Sequence, residues 1–479
     1  MKREQGSNAS SSTTSQLRIY DTLQREVLPV IARDGNVFRV YCCGPTVYRD
    51  AHVGNLRTFL LSDLVRRTLE FHGAKVRMIQ NITDVGHMSE DFDEDKILSQ
   101  SRAEKRDPFE VARDYEDKFH RDLKSMNILP ADSYPRASEC IPLMIEHIQK
   151  LISLNFAYVG SDSSVYFDAA KFKDYGALSG NHLDALKPGH RYEYSEDGAK
   201  KFHADWALWK AAGNRTEMIW ETPWGRGFPG WHIECSAMSL KYLNGHVDLH
   251  IGGIDLRFPH HENERAQSNP LTKAEAVSLW LHGEHLLFEG RKMSKSAGNV
   301  VLLQDVIARG IDPLAVRLCF LENRYRSQMD LSWQSINAAF AWLQRFRQKF
   351  SEWSQFGSIN SDAVHNTISA IYSDFCGDLD TPQAMLKLRS LEKDEALSPS
   401  EKVAVVQEID RLFGLQLTIS QSLSDLPSEV IELLKRREAA RNAKNFSESD
   451  ELRDQLATLG IAVRDGKDGQ SWARIERER

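Results

Sequence analysis

The sequence predicts an α/β fold in its first half and a helical region in its C-terminal third. Two observations lead to this prediction. A strand-like run at residues 37–41 passes through a Gly-Pro turn into a segment whose apolar residues fit one face of a helix: Leu56, Leu60, Leu61, Leu64, Val65 and Leu69. Later, residues 336–430 alternate apolar and charged positions at helical spacing, which is typical of a helical bundle.

The composition is that of a soluble globular protein with about three or four domains. Of the 479 residues, 41% are hydrophobic and 27% are charged, and charges interrupt the longest apolar stretches, so we expect no membrane span. Residues 1–16 are rich in serine and threonine and lack the apolar centre of a secretory signal. We therefore expect a disordered tail and a cytoplasmic protein.

Neither the net charge nor the number of cysteines identifies the molecule that this protein binds. The net charge of −7 does not indicate a nucleic-acid binder, but local basic runs can hold RNA on an acidic protein. The candidate basic residues are Arg317, Arg324, Arg326, Arg345, Arg347, Lys349, Lys435, Arg436 and Arg437. Each of them also fits a solvated helix face. Six scattered cysteines in a chain of this size favour reduced thiols with metal or core roles over a disulfide framework.

His52, Gly54 and Asn55 lie where the predicted helix begins, in the run HVGN. A helix N-terminus presents free backbone N–H groups and a positive dipole to an anion, and a glycine there lets a nucleotide approach closely. His52 and Asn55 can each donate a hydrogen bond to phosphate oxygens. We predict that these three residues bind ATP and that His52 and Asn55 take part in catalysis.

A second candidate nucleotide segment is the run KMSKSAGN at residues 292–299. Its lysines, Lys292 and Lys295, are separated by small or flexible residues, as in a mobile cationic loop that closes over pyrophosphate. Taken alone, an HxGN run occurs by chance and a two-lysine loop is often a surface turn. Their order favours an ATP site, because the first run lies at an early strand-to-helix turn and the second follows a long α/β stretch.

Cysteine, histidine and glutamate residues form a candidate metal site. The candidate ligands are Cys43, Cys235, His260 and Glu264. A helix beginning near Pro259 would place His260 and Glu264 on one face, because they are four residues apart, and the cysteines would add two thiolates. Spacing leaves other ligands open, namely Cys42, His250 and His261. Since there is no CxxC pair, spacing also fits buried core cysteines and an acidic helix N-terminus.

Four runs resemble the cysteinyl-tRNA synthetase family of class I aminoacyl-tRNA synthetases: YCCGPTVY at 41–48, NITD at 81–84, GWHIECSAM at 230–238 and FPHHENE at 258–264. The resemblance covers the chain from residue 17 to the C-terminus. It departs at the first nucleotide run, where Asn55 stands in place of the histidine of many members and Val53 in place of isoleucine. Asn55 still carries a hydrogen-bond donor.

The resemblance implies one Zn²⁺ per chain, bound by Cys43, Cys235, His260 and Glu264, and Mg²⁺ bound with ATP. It implies that four residues surround L-cysteine, namely Thr83, Trp231, His250 and Asp255. Lys295 would stabilise the developing charge, and Lys292 would help the loop close. Zinc would select cysteine because a serine hydroxyl deprotonates and coordinates far less readily than a thiol.

The chain is expected to divide into segments of distinct role. In order, these are a disordered tail (1–16), the first half of a Rossmann-like catalytic domain (17–125), a helical, tryptophan-bearing insertion (126–225), the second half of the catalytic domain (226–290), the KMSKS loop with a stem-contact region (291–335), an α-helical bundle (336–430) and a small anticodon-binding module (431–479). Within the last module, residues 435–459 fit a helix, 460–463 a short strand and 465–469 a turn.

The resemblance implies that the enzyme activates L-cysteine with ATP to cysteinyl-adenylate and transfers it to the 3′-terminal adenosine of tRNA(Cys). We expect a monomer that contacts no membrane. Two other functions stay open: a cysteine ligase that acts on an amino-sugar inositol in mycothiol biosynthesis, and a non-catalytic, zinc-dependent RNA-binding paralogue. The ligase would not need an RNA-reading C-terminal region. The paralogue would not need both lysines, His52 and four metal ligands.

Overall fold

The computed structural model describes residues 16–86, 88, 95–186, 199–293, 298–419, 426–466 and 469–474. The tail expected at residues 1–16 lies outside this part of the chain except for Gln16. Within the described residues, no helix is both long and apolar enough to span a membrane.

A hairpin and a strand–helix–strand unit open the described chain. The elements are β1 (Arg18–Asp21), β2 (Glu26–Pro29), β3 (Val37–Cys42), α1 (Val53–Glu70), β4 (Lys75–Gln80), α2 (Lys96–Glu104) and α3 (Pro108–Ser125). The predicted first strand and helix are confirmed, since the apolar residues chosen from the sequence are buried on α1. Gly73 follows the helix end with φ +84°, a left-handed conformation that glycine adopts without a Cβ penalty.

The insertion that follows is mostly β-structure. Its elements are α4 (Ile141–Ser153), β5 (Ala157–Val159), β6 (Val165–Phe167), β7 (Trp206–Ala211), β8 (Trp220–Thr222) and β9 (Gly225–Pro229). The strands form an antiparallel sheet in the order β5-β6-β7-β9-β8. The prediction of a helical insertion is therefore wrong beyond α4. Every residue of β6 is buried, and Phe167 stacks on Trp206 with ring centroids 4.5 Å apart, so no alternation of polar and apolar residues marks this strand.

The second half of the α/β domain completes a parallel sheet. Its elements are α5 (Trp231–Tyr242), β10 (Val247–Gly253), α6 (His260–Thr272) and β11 (Val277–Gly283). The strand order is β11-β10-β3-β4, and every neighbouring pair is parallel. The chain leaves β3 toward β4 on one side and returns with β10 on the other, so the strand order reverses between β3 and β10. In open parallel sheets, ligands bind outside the carboxyl ends of the strands at such a point.

A mixed segment and a helical bundle follow the parallel sheet. The mixed segment contains β12 (Leu286–Phe288), β13 (Arg291–Lys292), α7 (Leu303–Ala308), α8 (Leu314–Leu321) and β14 (Met329–Leu331). The bundle contains α9 (Trp333–Ser354), α10 (Asp362–Cys376), α11 (Thr381–Ser390) and α12 (Pro399–Phe413). The helical bundle expected from the spacing of apolar residues is therefore confirmed. Its buried residues belong to the same core as those of the α/β domain.

The C-terminal module has a core of its own. It consists of α13 (Ser428–Asn442), α14 (Phe446–Thr458), β15 (Ile461–Gly466) and β16 (Gly469–Arg474). Its buried apolar residues form a cluster separate from the main core: Leu426, Val430, Leu433, Leu434, Ala440, Leu452, Leu456, Ile461 and Val463. The strand extends further than predicted, because Asp465 and Gly466 pair with Gln470 and Gly469 of β16 instead of forming the turn.

Three of the basic residues considered for RNA binding are buried structural links. Arg317 donates to Asp63 Oδ2 at 2.6 Å and to Phe413 O at 2.7 Å, which joins α8 to α1 and to the end of α12. Arg347 is similarly buried against Asp312. Arg437 makes a two-pronged contact with Asp465 at 2.8 Å. A guanidinium held in this way cannot face RNA, so these three positions are corrected to structural roles.

Candidate active site

The predicted site residues gather at the carboxyl ends of the parallel strands. Cys43 directly follows β3, and Thr83 lies three residues beyond the end of β4. His250 lies on β10, where it is paired with Tyr41 of β3. Gly44 fits its place only as glycine, because a Cβ there would lie 1.6 Å from the carbonyl oxygen of Asn81. The residues after β3 and β4 are thus packed against each other at the point where the strand order reverses.

The four candidate metal ligands converge in this region. The Sγ atoms of Cys43 and Cys235 lie 3.9 Å apart, and Cys43 Sγ lies 3.7 Å from Glu264 Oε1. Helix α6 begins at His260, so the four-residue spacing places His260 Nε2 3.0 Å from Glu264 Oε1. The donor atoms of all four residues lie within 4.8 Å of one another, and all four residues are buried.

His250 and His261 form a second donor set with Cys43 and Glu264. The Nε2 atom of His250 lies 3.4 Å from Cys43 Sγ, and that of His261 lies 3.3 Å from it. The donor atoms of this set also lie within 4.8 Å of one another. Two of the alternatives left open by spacing are therefore close to the same sulfur. The third, Cys42, instead accepts a hydrogen bond from Gln80 Nε2 at 3.8 Å.

Burial favours the neutral forms of Cys43, Cys235, His250 and Glu264. It raises the pKa of the Cys235 thiol to about 11 and lowers the pKa of His250 to about 3. It also raises the pKa values of the Cys43 thiol and the Glu264 carboxyl well above their usual values. A cation reverses this preference, because thiols and carboxyls lose protons when they bind it. The affinity of such a donor set for metal therefore rises with pH.

His52 is the N-cap residue of helix α1, which begins within the first nucleotide run. Its Nδ1 accepts a hydrogen bond from Asn55 N at 3.2 Å, and Asn55 Oδ1 accepts one from His52 N at 3.2 Å. Burial, with a smaller contribution from Arg49, lowers the pKa of His52 to about 4. The ring is therefore neutral near pH 7. Because Nδ1 accepts a hydrogen bond, the single ring proton lies on Nε2. The Nε2–H group can therefore donate a hydrogen bond to a ligand.

The two nucleotide runs lie against each other. Val53 N donates to Val301 O at 3.0 Å, just beyond the KMSKS loop. A Cβ on Gly54 would lie 2.8 Å from Met293 Cε, so glycine makes room for the loop. Lys292 is exposed on β13, and its carbonyl accepts a hydrogen bond from Asn299 Nδ2 at 3.1 Å. Lys295 lies outside the described residues.

A cavity of about 250 Å³ opens beside the metal cluster and the first nucleotide run. Its walls include Cys43, a candidate metal ligand, and Asn55 of the first nucleotide run. They also include Trp231 and Asp255, two of the residues expected to surround the substrate cysteine. The Trp231 ring stacks on the His260 ring with centroids 4.2 Å apart. The cavity therefore brings together one candidate metal ligand, one residue of the first nucleotide run and two candidate residues for binding the amino acid.

The other two residues expected to surround the substrate cysteine, Thr83 and His250, lie deeper in the protein. Thr83 is buried, and its hydroxyl donates to Glu234 Oε2 at 2.8 Å. His250 is buried and stacks on Trp280 with ring centroids 4.6 Å apart. Of the four residues expected to surround the substrate cysteine, Trp231 and Asp255 therefore lie in the cavity wall, and Thr83 and His250 lie behind it.

Sequence reasoning missed two cations in the cavity wall. Arg49 and Lys96 line the cavity, and their charged groups lie 5.0 Å and 5.9 Å from the centre of the Tyr48 ring. Arg49 directly follows the run at 41–48, so its position beside that run was the available signal. Lys96 gave no signal, because it reaches the cavity only through the placement of α2.

The chain matches both protein-family models and individual known proteins. The family model described as tRNA synthetases class I (C) catalytic domain matches residues 30–341, and the one described as cysteinyl-tRNA ligase anticodon binding domain matches residues 423–472. A cysteine–tRNA ligase of Chlamydia muridarum is 38% identical, over 96% of this chain and 100% of that protein. One of Thermus thermophilus is 39% identical, with the same coverage.

A solved structure supports the fold. Methionyl-tRNA synthetase of Mycobacterium tuberculosis, bound by methionyl-adenylate, has a TM-score of 0.57 at 14% identity and covers 86% of this chain and 96% of its own. At that identity the likeness concerns the fold alone. Since one catalytic-domain model matches more than half of the residues and the cysteine–tRNA ligases match nearly all of them, the chain belongs to the cysteine–tRNA ligase family of class I aminoacyl-tRNA synthetases.

Proposed function

We propose that this enzyme activates L-cysteine with ATP and transfers the cysteinyl group to the 3′-terminal adenosine of tRNA(Cys). One observation carries the proposal: Cys43 of the buried cysteine, histidine and glutamate cluster and Asn55 of the first nucleotide run line a single cavity, and the second nucleotide run packs against the first. The cavity lies at the carboxyl ends of a parallel sheet, where such folds bind ligands. Family membership supplies the substrate class.

We assign Cys43, Cys235, His260 and Glu264 as the ligands of one Zn²⁺ per chain. Their chemistry fits, because zinc takes thiolate, imidazole and carboxylate ligands in a tetrahedral arrangement. Two Zn–S bonds of about 2.3 Å at the tetrahedral angle place the sulfur atoms about 3.8 Å apart, and the sulfurs of Cys43 and Cys235 lie 3.9 Å apart. These residues would hold zinc as a soft Lewis acid for the substrate thiolate, and this would discriminate cysteine from serine, whose hydroxyl coordinates far less readily.

The first donor set is preferred over the set with His250 and His261 for two reasons. It supplies two thiolates, the soft ligands that select zinc over harder divalent cations. The members that distinguish it from the other set are Cys235 and His260, and His260 stacks on Trp231, which lies in the cavity wall. His250 stacks on Trp280 instead.

The residues of the two nucleotide runs act on ATP, which binds with Mg²⁺. The cysteine carboxylate attacks the α-phosphorus, the bond to the bridging oxygen breaks, and pyrophosphate leaves. His52 donates a hydrogen bond from its Nε2–H to a phosphate oxygen, and Gly54 and the N-terminus of α1 give the phosphates close access to backbone N–H groups. Asn55, exposed at the cavity, donates through its amide. Lys295 stabilises the leaving charge, and Lys292 helps the loop close.

The amino-acid residues orient cysteine for this attack. Asp255 presents an exposed carboxylate at the cavity and suits the α-ammonium group, while Trp231 provides an apolar wall. Thr83 and His250 support the site from behind the wall. Holding the carboxylate in line with the α-phosphate is worth several kcal/mol of the barrier in well-oriented reactions.

The C-terminal module is proposed to read the anticodon of tRNA(Cys). It carries exposed basic residues, Lys435 and Arg436, on the helix α13. An RNA-reading module argues against the cysteine ligase of mycothiol biosynthesis, and an assembled ATP site argues against a non-catalytic RNA-binding paralogue. We further propose that the enzyme acts in the cytoplasm as a monomer.

The test is cysteine-dependent exchange of label between pyrophosphate and ATP, with serine as the competitor, followed by charging of tRNA(Cys) in the same preparation. We expect exchange with cysteine, far weaker exchange with serine, and charging of the tRNA. Exchange without charging would favour the small-molecule ligase. An absence of exchange in zinc-loaded protein would overturn the enzymatic proposal.

A further inference from the structure

Three hydrogen bonds, one partly buried and two buried, join the segments that carry Cys43 and Cys235. Gly44 N donates to Asn81 Oδ1 at 2.9 Å. Asn81 Nδ2 donates to Thr83 Oγ1 at 3.1 Å, and the Thr83 hydroxyl donates to Glu234 Oε2 at 2.8 Å. We call Asn81, Thr83 and Glu234 the polar strut. One end of the strut meets the residue after Cys43, and the other end is the residue before Cys235.

The strut is shielded from water along its whole length. Asn81 is 1% exposed, Thr83 is 2% exposed and Glu234 is fully buried. Hydrogen bonds in such surroundings are not exchanged for bonds to water, and breaking one leaves a buried polar group without its partner. The strut therefore resists changes in the distance between its two ends.

The direction of each bond follows from the groups present. The Asn81 amide nitrogen can only donate, so it uses a lone pair of the Thr83 oxygen. The single proton of the Thr83 hydroxyl then goes to Glu234. Most of the hydrogen-bonding capacity of Thr83 is thus used inside the protein, which leaves one lone pair for any substrate contact.

The two sulfurs need such a device because no local structure fixes their separation. They lie 192 residues apart in sequence, one after a strand and the other on helix α5. Close packing at Gly44, where a Cβ would meet the Asn81 carbonyl, fixes the first end against the β4 side of the sheet. The hydrogen bond from Thr83 to Glu234 fixes α5 to the same place.

We propose that Asn81, Thr83 and Glu234 are positioning residues that hold the Cys43 and Cys235 thiols at the separation a metal ion requires. The inference rests on the proposed function, since it concerns the assigned zinc ligands. It gives Thr83 a role that exists before substrate binds, in contrast to a contact with the amino acid alone. Partners outside the ligand shell of metal sites contribute about 10–100-fold in metal affinity.

The test is binding of Co²⁺ to the full-length protein after removal of its metal, without cysteine or ATP. The charge-transfer band between thiolate and cobalt reports whether both sulfurs bind, and competition with a chelator gives the affinity. Thr83→Val removes the hydroxyl and keeps the shape of the side chain. Thr83→Ser keeps the hydroxyl and is the matched control.

We expect Thr83→Val to bind Co²⁺ about 10–100-fold more weakly than the unaltered protein, with a reduced thiolate band. Thr83→Ser should bind nearly as the unaltered protein does. In the exchange reaction, Thr83→Val should raise the KM for cysteine and leave the KM for ATP unchanged. A residue that only touches the substrate would also raise the KM for cysteine, but it would leave cobalt binding unaltered.

A second pair of variants tests the other end of the strut if Thr83→Val does not fold. Glu234→Gln keeps an oxygen that accepts from Thr83, and Glu234→Leu removes it. Weak cobalt binding by the leucine variant, with near-normal binding by the glutamine variant, would support the strut. Normal binding by Thr83→Val and Glu234→Leu would overturn it and leave the zinc assignment standing, whereas no thiolate band in the unaltered protein would overturn the zinc assignment itself.

Discussion

At the scale of the residue, His52 caps helix α1 through Nδ1 and, in the proposed function, uses its Nε2–H to hydrogen-bond a phosphate. These roles can be separated. His52→Asn keeps a capping side chain but shortens its reach, so we expect unchanged stability and exchange slower by about 10²-fold, the cost of one lost donor to developing charge. His52→Ala should in addition destabilise the protein by about 1 kcal/mol. Urea unfolding and pyrophosphate exchange measure the two effects.

The low pKa of His52 sets a pH window that can be checked. Burial lowers the pKa from 6.5 to about 4, so between these values the unfolded chain binds the proton and the folded protein does not. The contribution of this residue to stability therefore falls as the pH drops from 6.5 toward 4. We expect the His52 ring signals in NMR, assigned with the His52→Asn variant, to titrate with a pKa of about 4. A midpoint at 6.5 would contradict the burial of the ring.

Only the local part of the metal cluster was predictable from spacing. His260 and Glu264 share one helical face because they are four residues apart, and the helix begins where Pro259 indicated. The meeting of Cys43 with Cys235 depends on the order of the strands, which spacing does not encode. For the same reason, spacing could not choose between His260 and the pair His250 and His261, all of which reach the same small volume.

At the scale of the element, Arg57 fixes helix α1 to the segments that precede strands β12 and β14. Its guanidinium donates to Glu284 O, His285 O, Arg324 O and Ser327 O at 2.8–3.0 Å, and the residue is 6% exposed. Lysine cannot reach four carbonyls. We expect Arg57→Lys to lower the free energy of unfolding by about 2–4 kcal/mol, since charge-assisted hydrogen bonds are lost from buried carbonyls.

The matched control for Arg57→Lys is Arg345→Lys on α9, where the side chain is 62% exposed and lies 3.5 Å from Glu392. We expect it to change stability by less than about 0.5 kcal/mol, as is usual for surface substitutions. Urea denaturation of both variants makes the comparison, and equal midpoints would remove Arg57 from this role. In folded Arg57→Lys, exchange should also slow, because α1, which His52 caps, loses its attachment to residues 284–285, which lead directly into β12 and the paired strand β13 that carries Lys292.

Elements with a strong local pattern were predicted well, and those set by tertiary packing were not. Helix α1 and the bundle show apolar residues at helical spacing, and both are found. The insertion sheet was missed because its strands are three to six residues long, and its central strands bury tryptophans and phenylalanines on both faces. Short aromatic strands of this kind cannot be distinguished by period from buried helix.

At the scale of the whole molecule, the described residues form two hydrophobic cores, one on each side of the interval between Leu417 and Leu426. The main core extends as far as Leu417, and the second core begins at Leu426. Contacts between them include Arg464 with Asn337, and the backbone of Val463 against Gly310. A chain ended at residue 419 therefore keeps the main core and the cavity. We expect it to fold and to retain cysteine-dependent pyrophosphate exchange close to that of the full chain.

The same shortened chain should lose efficiency in charging tRNA(Cys). If the C-terminal module contributes about 1.4–2.8 kcal/mol to RNA binding, kcat/KM for the tRNA falls about 10–100-fold while the KM for cysteine is unchanged. Measuring exchange and charging on one preparation separates the two activities. Loss of exchange would mean that the module is needed to assemble the catalytic fold. Unchanged charging would place RNA recognition on the α/β domain and bundle, and would remove the module as the feature that distinguishes this enzyme from a small-molecule cysteine ligase.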